Sequence, residues 1–228
     1  MGNSIIFVLS VLIYLGTVLL LYKFMGKSGL YLYVIISTIL CNLQVCICVD
    51  IFGLSTTAGN VLYAASFLVT DILSEKYGKK SAHRAVIYGV VTTIIWLLGT
   101  QSTMLMTPNA NDYVSESMKV VFGLVPRVSI ASLISYVICQ YLDVFLYHYV
   151  WSKSGNGKKF LWLRNNVGTL VSQLVDTILF TTLAFWGIYP TPVFVSILLT
   201  TYLFKAIVAF ADTPFLYLAR MIKPVDEV

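Results

Sequence analysis

Seven long apolar runs follow one another along this 228-residue chain. A helix rises about 1.5 Å per residue, so about 20 apolar residues cross the hydrocarbon core of a bilayer. Hydrophobic residues make up 58% of the sequence and charged residues 11%, which is too much apolar surface for one water-soluble core. We therefore predict an all-α integral membrane protein, a bundle of about seven transmembrane helices. The predicted spans are 4–22, 30–50, 59–75, 82–100, 124–150, 166–188 and 191–219.

The basic residues between these runs predict how the helices are oriented. Positive loops mark the cytoplasmic side, and every strongly basic loop falls on one side of the predicted bundle. We therefore predict a single transmembrane domain over residues 1–228 in the cell membrane, with the N-terminus outside and the C-terminus cytoplasmic. The net charge of +5 forms no continuous stripe, so we expect no nucleic-acid partner. The orienting residues are Lys23, Lys27, Lys76, Lys79, Lys80, Arg84, Lys153, Lys158, Lys159, Arg164, Arg220 and Lys223.

No motif in the chain indicates an enzyme. The sequence contains no nucleophile motif, phosphate-binding loop or metal signature. Cys46 and Cys48 are two residues apart and would face different sides of a helix, which is a poor arrangement for a metal. These two, with Cys41 and Cys139, fall inside predicted spans and are expected to pack as small residues. We therefore predict no catalytic residues, no cofactor and no metal.

Two acidic residues lie in the third predicted span, around which the chain is organised. Asp71 and Glu75 are four residues apart and share a helix face with Phe67. An acid near the centre of a membrane helix costs about 2.5 to 3.5 kcal/mol, so such a residue usually has a function or a partner. The structural alternative places Glu75 at the inner interface as an anchor. Asp71 would then be neutralised by Lys79 or Arg84.

The last three predicted spans carry polar faces. The sixth places Asn166, Gln173 and Asp176 on one face, with Asp176 about 18 Å from the cytoplasmic end. Lys205 lies at a similar depth in the seventh span, and Asp212 follows two turns later. An acid and a base at mid-membrane predict an ion pair between Asp176 and Lys205. A further polar stripe, predicted to face the interior, consists of Ser129, Ser132, Tyr136, Gln140, Asp143 and Tyr147 in the fifth span.

Three separated motifs give the chain a family resemblance. They are FLVTDILSEKYGKKSA at 67–82, RNNVGTLVSQLVDTILF at 164–180, and Lys205 followed by ADTPFLYLAR at 211–220. In order and spacing they resemble the queuosine precursor transporter family, a branch of the vitamin uptake transporter group. The resemblance starts at about residue 30, and the first span looks like an added helix before six others. It implies a membrane importer of 7-deazaguanines, such as 7-cyano-7-deazaguanine, for salvage into the tRNA nucleoside queuosine.

The implied ligand suits the polar faces. A deazaguanine offers N–H donors to a carboxylate, a carbonyl to an amide or ammonium group, and a flat face for stacking. The same side chains could instead serve only to hydrogen-bond helix to helix. The expected partners are this small molecule and the lipid bilayer, and a homodimer is compatible with the sequence. The substrate-binding candidates are Phe67, Asp71, Glu75, Asn166, Gln173, Asp176, Lys205 and Asp212, with Trp186 as an alternative stacking residue.

Two other function classes stay open beside a solitary transporter. One is a substrate-binding membrane subunit of an energy-coupling vitamin transporter, which requires a separate ATPase complex. Such subunits carry pairs of small residues on the first helix for docking, and IIFVLSVLIYLGTVLLLY at 5–22 lacks that pattern. The other is a membrane scaffold, which has no need for an acid and a base at mid-membrane.

A likeness between two spans predicts an inverted repeat. SFLVTDILSE at 66–75 and SQLVDTILFT at 172–181 share Ser, Leu-Val and Ile-Leu, with an Asp beside a Thr. By the predicted topology the first runs inward and the second outward, each as the middle helix of three. We therefore predict a 3+3 arrangement in which the third and sixth spans are adjacent. Asp71 and Asp176 would both face the space between the halves.

Overall fold

Seven α-helices and one short hairpin make up the part of the chain that the computed structural model describes, which is residues 2–123, 125–154, 160–188 and 190–227. The hairpin consists of β1 (Cys48–Ile51) and β2 (Leu54–Thr57), and a 3₁₀ turn at Val225–Glu227 follows the last helix. The helices are α1 (Gly2–Gln44), α2 (Asn60–Tyr77), α3 (Lys79–Met104), α4 (Ser115–Gly123), α5 (Val125–Ser154), α6 (Leu161–Phe185) and α7 (Thr191–Met221).

Five of these helices, α1, α3, α5, α6 and α7, are long and apolar enough to cross a membrane. The prediction of an integral membrane helix bundle is therefore confirmed. α2 carries three charged residues among its 18, and it lies inside the bundle, in contact with α1, α3, α5 and α7. Every residue from Ala64 to Ser74 is buried. The acidic stretch that the sequence singled out thus occupies the centre of the fold.

α1 contains the first two predicted spans, folded back on each other at Gly26. Gly26 has φ 55° and ψ −135°, and its positive φ is one that glycine adopts without the clash of a Cβ. A straight helix of this length would place its ends about 60 Å apart. Instead the Asn3 side chain donates to the Asp50 carbonyl oxygen at 3.1 Å. The two arms of α1, 2–25 and 27–44, are therefore antiparallel.

The segment after α1 differs from the prediction. The second span was predicted to continue to residue 50, but α1 ends at Gln44, and β1 and β2 then pair antiparallel. Phe52 and Gly53 join the strands, and both have positive φ, 51° and 79°, as a two-residue hairpin turn requires. The all-α prediction is therefore wrong for this segment. The short helix α4 was also not predicted.

The basic residues gather at one end of the bundle. The break at Gly26, the α2–α3 junction at Gly78 and the C-terminal tail meet there, since Asp226 accepts hydrogen bonds from the Lys27 backbone N–H and the Tyr77 hydroxyl. We call this the basic end, and the opposite end, with β1, β2 and α4, the hairpin end. The basic end holds Lys23, Lys27, Lys76, Lys79, Lys80, Arg84, Lys153, Arg164, Arg220 and Lys223, and the other two orienting residues, Lys158 and Lys159, lie outside the described residues.

Candidate functional site

α2 and α6 run antiparallel through the centre and contact each other through polar side chains at three levels. The contacts follow one another along both helices in opposite sequence order, so the two helices are antiparallel where these side chains meet. Each level also includes residues of α5 or α7, and each has a different chemistry. From the hairpin end to the basic end, the contacts are Tyr63–Asp176, Asp71–Thr169 and Glu75–Arg164.

The level nearest the hairpin end holds the predicted ion pair. Lys205 Nζ lies 2.6 Å from Asp176 Oδ2, and both side chains are buried. The Tyr63 hydroxyl donates to Asp176 Oδ1 at 2.8 Å, and its ring lies 4.8 Å from Lys205 Nζ. Both carboxylate oxygens therefore have a partner. Removing either charged residue would leave the other buried without compensation, which is strongly destabilising.

A small cavity of about 50 Å³ lies beside this pair. The second arm of α1 and helices α2, α5, α6 and α7 all contribute to its wall. Small-molecule sites are larger than this cavity but likewise combine apolar walls with a few convergent polar groups. Of the eight candidate residues, Asp176 and Lys205 line this cavity. Its other polar and aromatic lining residues are Asn42, Asn60, Tyr63, Ser132 and Phe180.

Helical periodicity contained a signal for most of these additional lining residues. Asn60 and Tyr63 lie on the acidic face of α2, and Ser132 belongs to the polar stripe of α5. Phe180 follows Asp176 by one turn on α6. Asn42 follows Thr38 by one turn in the second predicted span, and this polar pair was not predicted to face the interior. Its place in the wall depends on how the second arm of α1 packs against the other helices.

A larger cavity, of about 410 Å³, lies at the hairpin end. It shares Val45 with the smaller cavity and extends between β2 and the adjacent ends of α5, α6 and α7. Arg127 belongs to its wall, and its guanidinium donates to the Leu183 and Trp186 carbonyl oxygens at 3.0 and 2.8 Å. These carbonyls end α6 and have no helical partner. We call this cavity the vestibule.

The level at the basic end is a compact ionic cluster around Glu75. Arg164 Nη2 lies 3.0 Å from Glu75 Oε2, and Arg220 Nη1 lies 3.4 Å from Oε1. The Tyr147 hydroxyl also donates to Oε2 at 2.8 Å, and the Arg164 guanidinium lies 4.6 Å from the Trp151 ring. Four helices meet here through charged contacts. This arrangement supports the anchor interpretation of Glu75.

The middle level contains Asp71, which is buried on α2. The Thr169 hydroxyl donates to Asp71 Oδ2 at 3.4 Å. In the described part of the chain Asp71 has no ion pair, so its predicted neutralisation by Lys79 or Arg84 is wrong. Lys79 and Arg84 lie beyond the end of α2, at least eight residues along the chain from Asp71, and Lys79 faces the Phe145 ring.

Asn166 and Asp212 belong to contacts between α6 and α7. The Asn165 side-chain amide donates to Asp212 Oδ1 at 2.7 Å. The Asn166 amide donates to the Thr213 hydroxyl, also at 2.7 Å. These contacts lie close to Pro214, which lacks the backbone donor that would complete the helix there. Neither candidate lines the cavity at Asp176, and both hold α6 against α7.

The two remaining candidates are fully buried. Phe67 packs edge-on against Tyr63, with ring centroids 5.7 Å apart. Gln173 lies on α6 between Thr169 and Asp176, and neither its amide nitrogen nor its oxygen has a hydrogen-bond partner in the described structure. Trp186, the alternative stacking residue, is 63% exposed at the hairpin end.

Among the residues that the structure describes, no three His, Cys, Asp or Glu side chains are placed to hold a metal ion. Cys41, Cys46, Cys48 and Cys139 are all free thiols. Cys41 contributes to the wall of the cavity, and Cys48 lies in β1 instead of a membrane span. The prediction that Cys48 packs inside a span is therefore wrong.

Comparison with known proteins connects this architecture to transport. The family model described as "Putative vitamin uptake transporter" matches residues 57–219, which includes the contacts between α2 and α6 at all three levels. "Probable queuosine precursor transporter" of Bacillus subtilis (strain 168) is 39% identical over 227 residues, covering 100% of this chain and 99% of the relative. No solved structure matches the chain. Because the family model covers most of the chain and the relative aligns over its whole length, this chain belongs to the vitamin uptake transporter family.

Proposed function

We propose that this chain imports a 7-deazaguanine precursor of queuosine across the cell membrane, and that the substrate binds beside Asp176 and Lys205. The observation that carries the proposal is a buried acid–base pair that lines a small cavity between the central helices. The Bacillus subtilis relative, which aligns over the full length, bears the name of a queuosine precursor transporter. The resemblance of the three sequence motifs supports the same substrate class.

The ion pair offers the contacts that the edge of a deazaguanine needs. That edge presents two neighbouring N–H donors beside a carbonyl acceptor. The Asp176 carboxylate accepts from the donors, and the Lys205 ammonium group donates to the carbonyl. Tyr63 and Phe180 provide aromatic faces for the flat ring. A bound substrate would partly replace the internal ion pair, so that each charge keeps a partner throughout.

The shape of the cavities supports an outward-connected state. In this proposal the basic end faces the cytoplasm and the vestibule opens to the outside. The substrate would enter through the vestibule and pass Val45, which belongs to both cavities. On the cytoplasmic side, the cluster of Glu75, Arg164 and Arg220 closes the path. Release would require this cluster to separate.

The helix contacts support a 3+3 inverted repeat. α2 packs against α1 and α3 and also against α7 and α5, while α6 packs against α5 and α7. In chain order α2 and α6 are the middle members of their sets of three. The two middle helices are antiparallel and contact each other through Asp71 and Asp176. Transporters built on such repeats bind their substrate between the halves, near mid-membrane. The cavity at Asp176 lies at this interface.

The direct test is uptake of labelled 7-cyano-7-deazaguanine into cells that lack their own transporter. Cells that express the chain should accumulate label, and Asp176→Asn should reduce uptake at least tenfold. Glu116→Gln is the matched control, because Glu116 is an exposed acid on α4. Uptake equal to that of empty cells would refute the proposal, provided that the chain reaches the membrane.

Reconstitution separates a solitary transporter from a subunit of an energy-coupling complex. The purified chain should exchange labelled for unlabelled 7-cyano-7-deazaguanine across liposomes that contain no other protein. Exchange that appears only after an ATPase complex and ATP are added would indicate the subunit function instead.

A further inference from the structure

Three buried acids form a layer between the cavity and the basic end. Asp71 on α2, Asp143 on α5 and Asp212 on α7 are each no more than 1% exposed. Asp71 follows Tyr63 by eight residues and Asp212 follows Lys205 by seven, so the layer lies about 10–12 Å from the ion pair. Thr169 contacts Asp71, and its neighbour Gly168 lies against the Asp143 carboxylate. Asn165, one turn before Thr169, donates to Asp212, so the three acids face the same stretch of α6. We call these three residues the acid layer.

No described cation neutralises the acid layer. The ion pairs in the described residues connect Arg164 and Arg220 to Glu75, and Lys205 to Asp176. None of them includes a residue of the layer. An ionised carboxylate in a low-dielectric interior without a counter-charge is so unfavourable that the group takes up a proton instead. The carboxyl groups of the layer are therefore suited to binding protons.

Asp143 is the least satisfied member of the layer. Neither of its carboxylate oxygens has a hydrogen-bond partner in the described structure, whereas Asp71 accepts from Thr169 and Asp212 accepts from Asn165. Hydroxyl groups surround Asp143, and Gly168 lets α6 approach its carboxylate closely. The nearby hydroxyls are those of Thr70, Thr169 and Ser172, and each donates to another acceptor.

The titratable and charged groups around the layer belong to four helices. On the basic side they are Glu75 on α2, Tyr147 on α5, Arg164 on α6 and Arg220 on α7, which bond to one another. On the cavity side they are Tyr63, Asp176 and Lys205, which also bond to one another. Cys139 on α5 lies one turn from Asp143. The acid layer thus lies between two groups of residues whose charges are paired within each group.

A second observation connects the layer to the substrate cavity. Gln173 lies between Thr169, which contacts the layer, and Asp176, which lines the cavity. Its side chain is completely buried, and both ends of its amide lack a partner among the described residues. A buried amide without hydrogen bonds is costly. Gln173 therefore marks a polar position between the two sites that needs a ligand, such as water or the substrate itself.

We propose that the acid layer is the proton-binding site of a proton-coupled transporter, with Asp143 as the proton carrier. This inference rests on the proposed transport function. A proton from the outside binds a lone pair of the Asp143 carboxylate, crosses with one neutral substrate, and returns to water at the basic end. No covalent bond of the substrate changes. A metal cation is a weaker candidate, because no three acids of the described chain are placed to hold one.

The test uses the purified full chain in liposomes with labelled 7-cyano-7-deazaguanine. With the outside one pH unit more acidic than the inside, one proton per substrate should give about tenfold accumulation. A protonophore should abolish the accumulation but leave exchange of labelled for unlabelled substrate intact. Asp143→Asn resembles the protonated acid, so it should lose the accumulation and keep the exchange. Asp112→Asn, at an exposed acid between α3 and α4, should behave like the parent protein.

The outcomes separate this inference from the proposed function. Exchange without acid-driven accumulation in the parent protein would overturn proton coupling and leave the transport function standing. Absence of exchange in the parent protein would remove the transport function itself. Accumulation driven by a sodium gradient but not by acid would overturn the proton site in favour of sodium. If Asp143→Asn does not fold, Asp212→Asn takes its place, and accumulation retained in that variant would contradict the role of the layer.

Discussion

Asp226 Oδ2 lies 2.8 Å from the backbone nitrogen of Lys27, which joins the C-terminal tail to the break between the two arms of α1. The Tyr77 hydroxyl donates to Oδ1 of the same carboxylate at 2.7 Å. The carboxylate lies against Gly26, where the Cβ of any other residue would collide with it. Because Lys27 begins the second arm, the negative charge lies at the positive end of a helix dipole. The tail therefore stabilises the turn of α1 and the end of α2 together.

Replacing Asp226 with alanine should lower the stability by less than about 1 kcal/mol, because the site is exposed to solvent. Partial burial raises the pKa of Asp226, but the hydrogen bonds from Lys27 and Tyr77 outweigh it and hold the pKa below its ordinary value. Stability from a lowered pKa is present above the unfolded value and is lost as pH falls through the folded one. Thermal unfolding in detergent should therefore distinguish variant and parent at pH 6, and the difference should shrink below about pH 4.

Glu116→Gln is the control for this pH dependence. Glu116 is exposed, and none of its side-chain contacts in the described structure is a hydrogen bond or an ion pair. Its substitution should leave little difference between the two pH values. A loss of stability in Asp226→Ala that is equal at pH 6 and at pH 3 would show that the carboxylate charge does not hold the tail.

Gly89→Ala should weaken the contact between α3 and α5. A Cβ at Gly89 would collide with the ring and hydroxyl of Tyr136. Such overpacking typically costs about 1–3 kcal/mol. Gly99 lies on the same helix and has open space at its Cβ position, so Gly99→Ala should be neutral or slightly stabilising through helix propensity. Thermal stability of both variants in detergent checks the contact, and equal effects would mean that α3 and α5 are not this close.

The sequence predicted the long helices and the central ion pair because both depend on local rules. Apolar runs of membrane length fix where helices lie, and residue depth along a helix follows from its rise. Asp176 and Lys205 could therefore be matched across two spans. The polar stripe of α5 also faces the interior as predicted, with Gln140, Asp143 and Tyr147 completely buried. The loops between the predicted spans also indicated that the basic residues gather at one end, because the order of the spans determines the side on which each loop lies.

The remaining features depend on contacts that local patterns do not contain. The arms of α1 and the hairpin after it are held by contacts between residues far apart in sequence, such as Asn3 with Asp50. The sequence offered Lys79 and Arg84 as partners for Asp71 because they are near in the chain. In the folded chain α6 packs at that level and presents Thr169 instead. The position of a Thr in an apolar run does not indicate which acid its hydroxyl contacts in the folded chain.

The orientation in the membrane can be tested with reporters at the two ends of the bundle. A reporter that is active only in the cytoplasm should give signal when it is fused after residue 228, because the basic end is predicted to lie inside. The same reporter inserted between α3 and α4, at Asn109–Asp112, should be silent, because this segment lies at the hairpin end. The reverse pattern would place the vestibule in the cytoplasm and make the proposed direction of entry wrong.

Paired substitutions can separate a structural role of Asp176 and Lys205 from a role in substrate binding. Asp176→Asn or Lys205→Met alone leaves a buried charge unpaired, so each should lower stability by about 3–5 kcal/mol and abolish uptake. The double variant removes both charges, so much of the lost stability should return. The coupling between the two sites, measured as a double-mutant cycle, isolates the pair.

The uptake of the double variant then decides between the two roles. If the pair only holds α6 against α7, a double variant that is folded as well as the parent protein should transport labelled 7-cyano-7-deazaguanine. If Asp176 and Lys205 bind the edge of the substrate, uptake by the folded double variant should remain at least tenfold lower than uptake by the parent protein. An apolar Met cannot donate a hydrogen bond to the substrate carbonyl, and an Asn amide has only one oxygen to accept from the two N–H donors. Recovery of uptake together with stability would move the binding site to other residues of the cavity, of which Asn60 and Asn42 would be the first to examine.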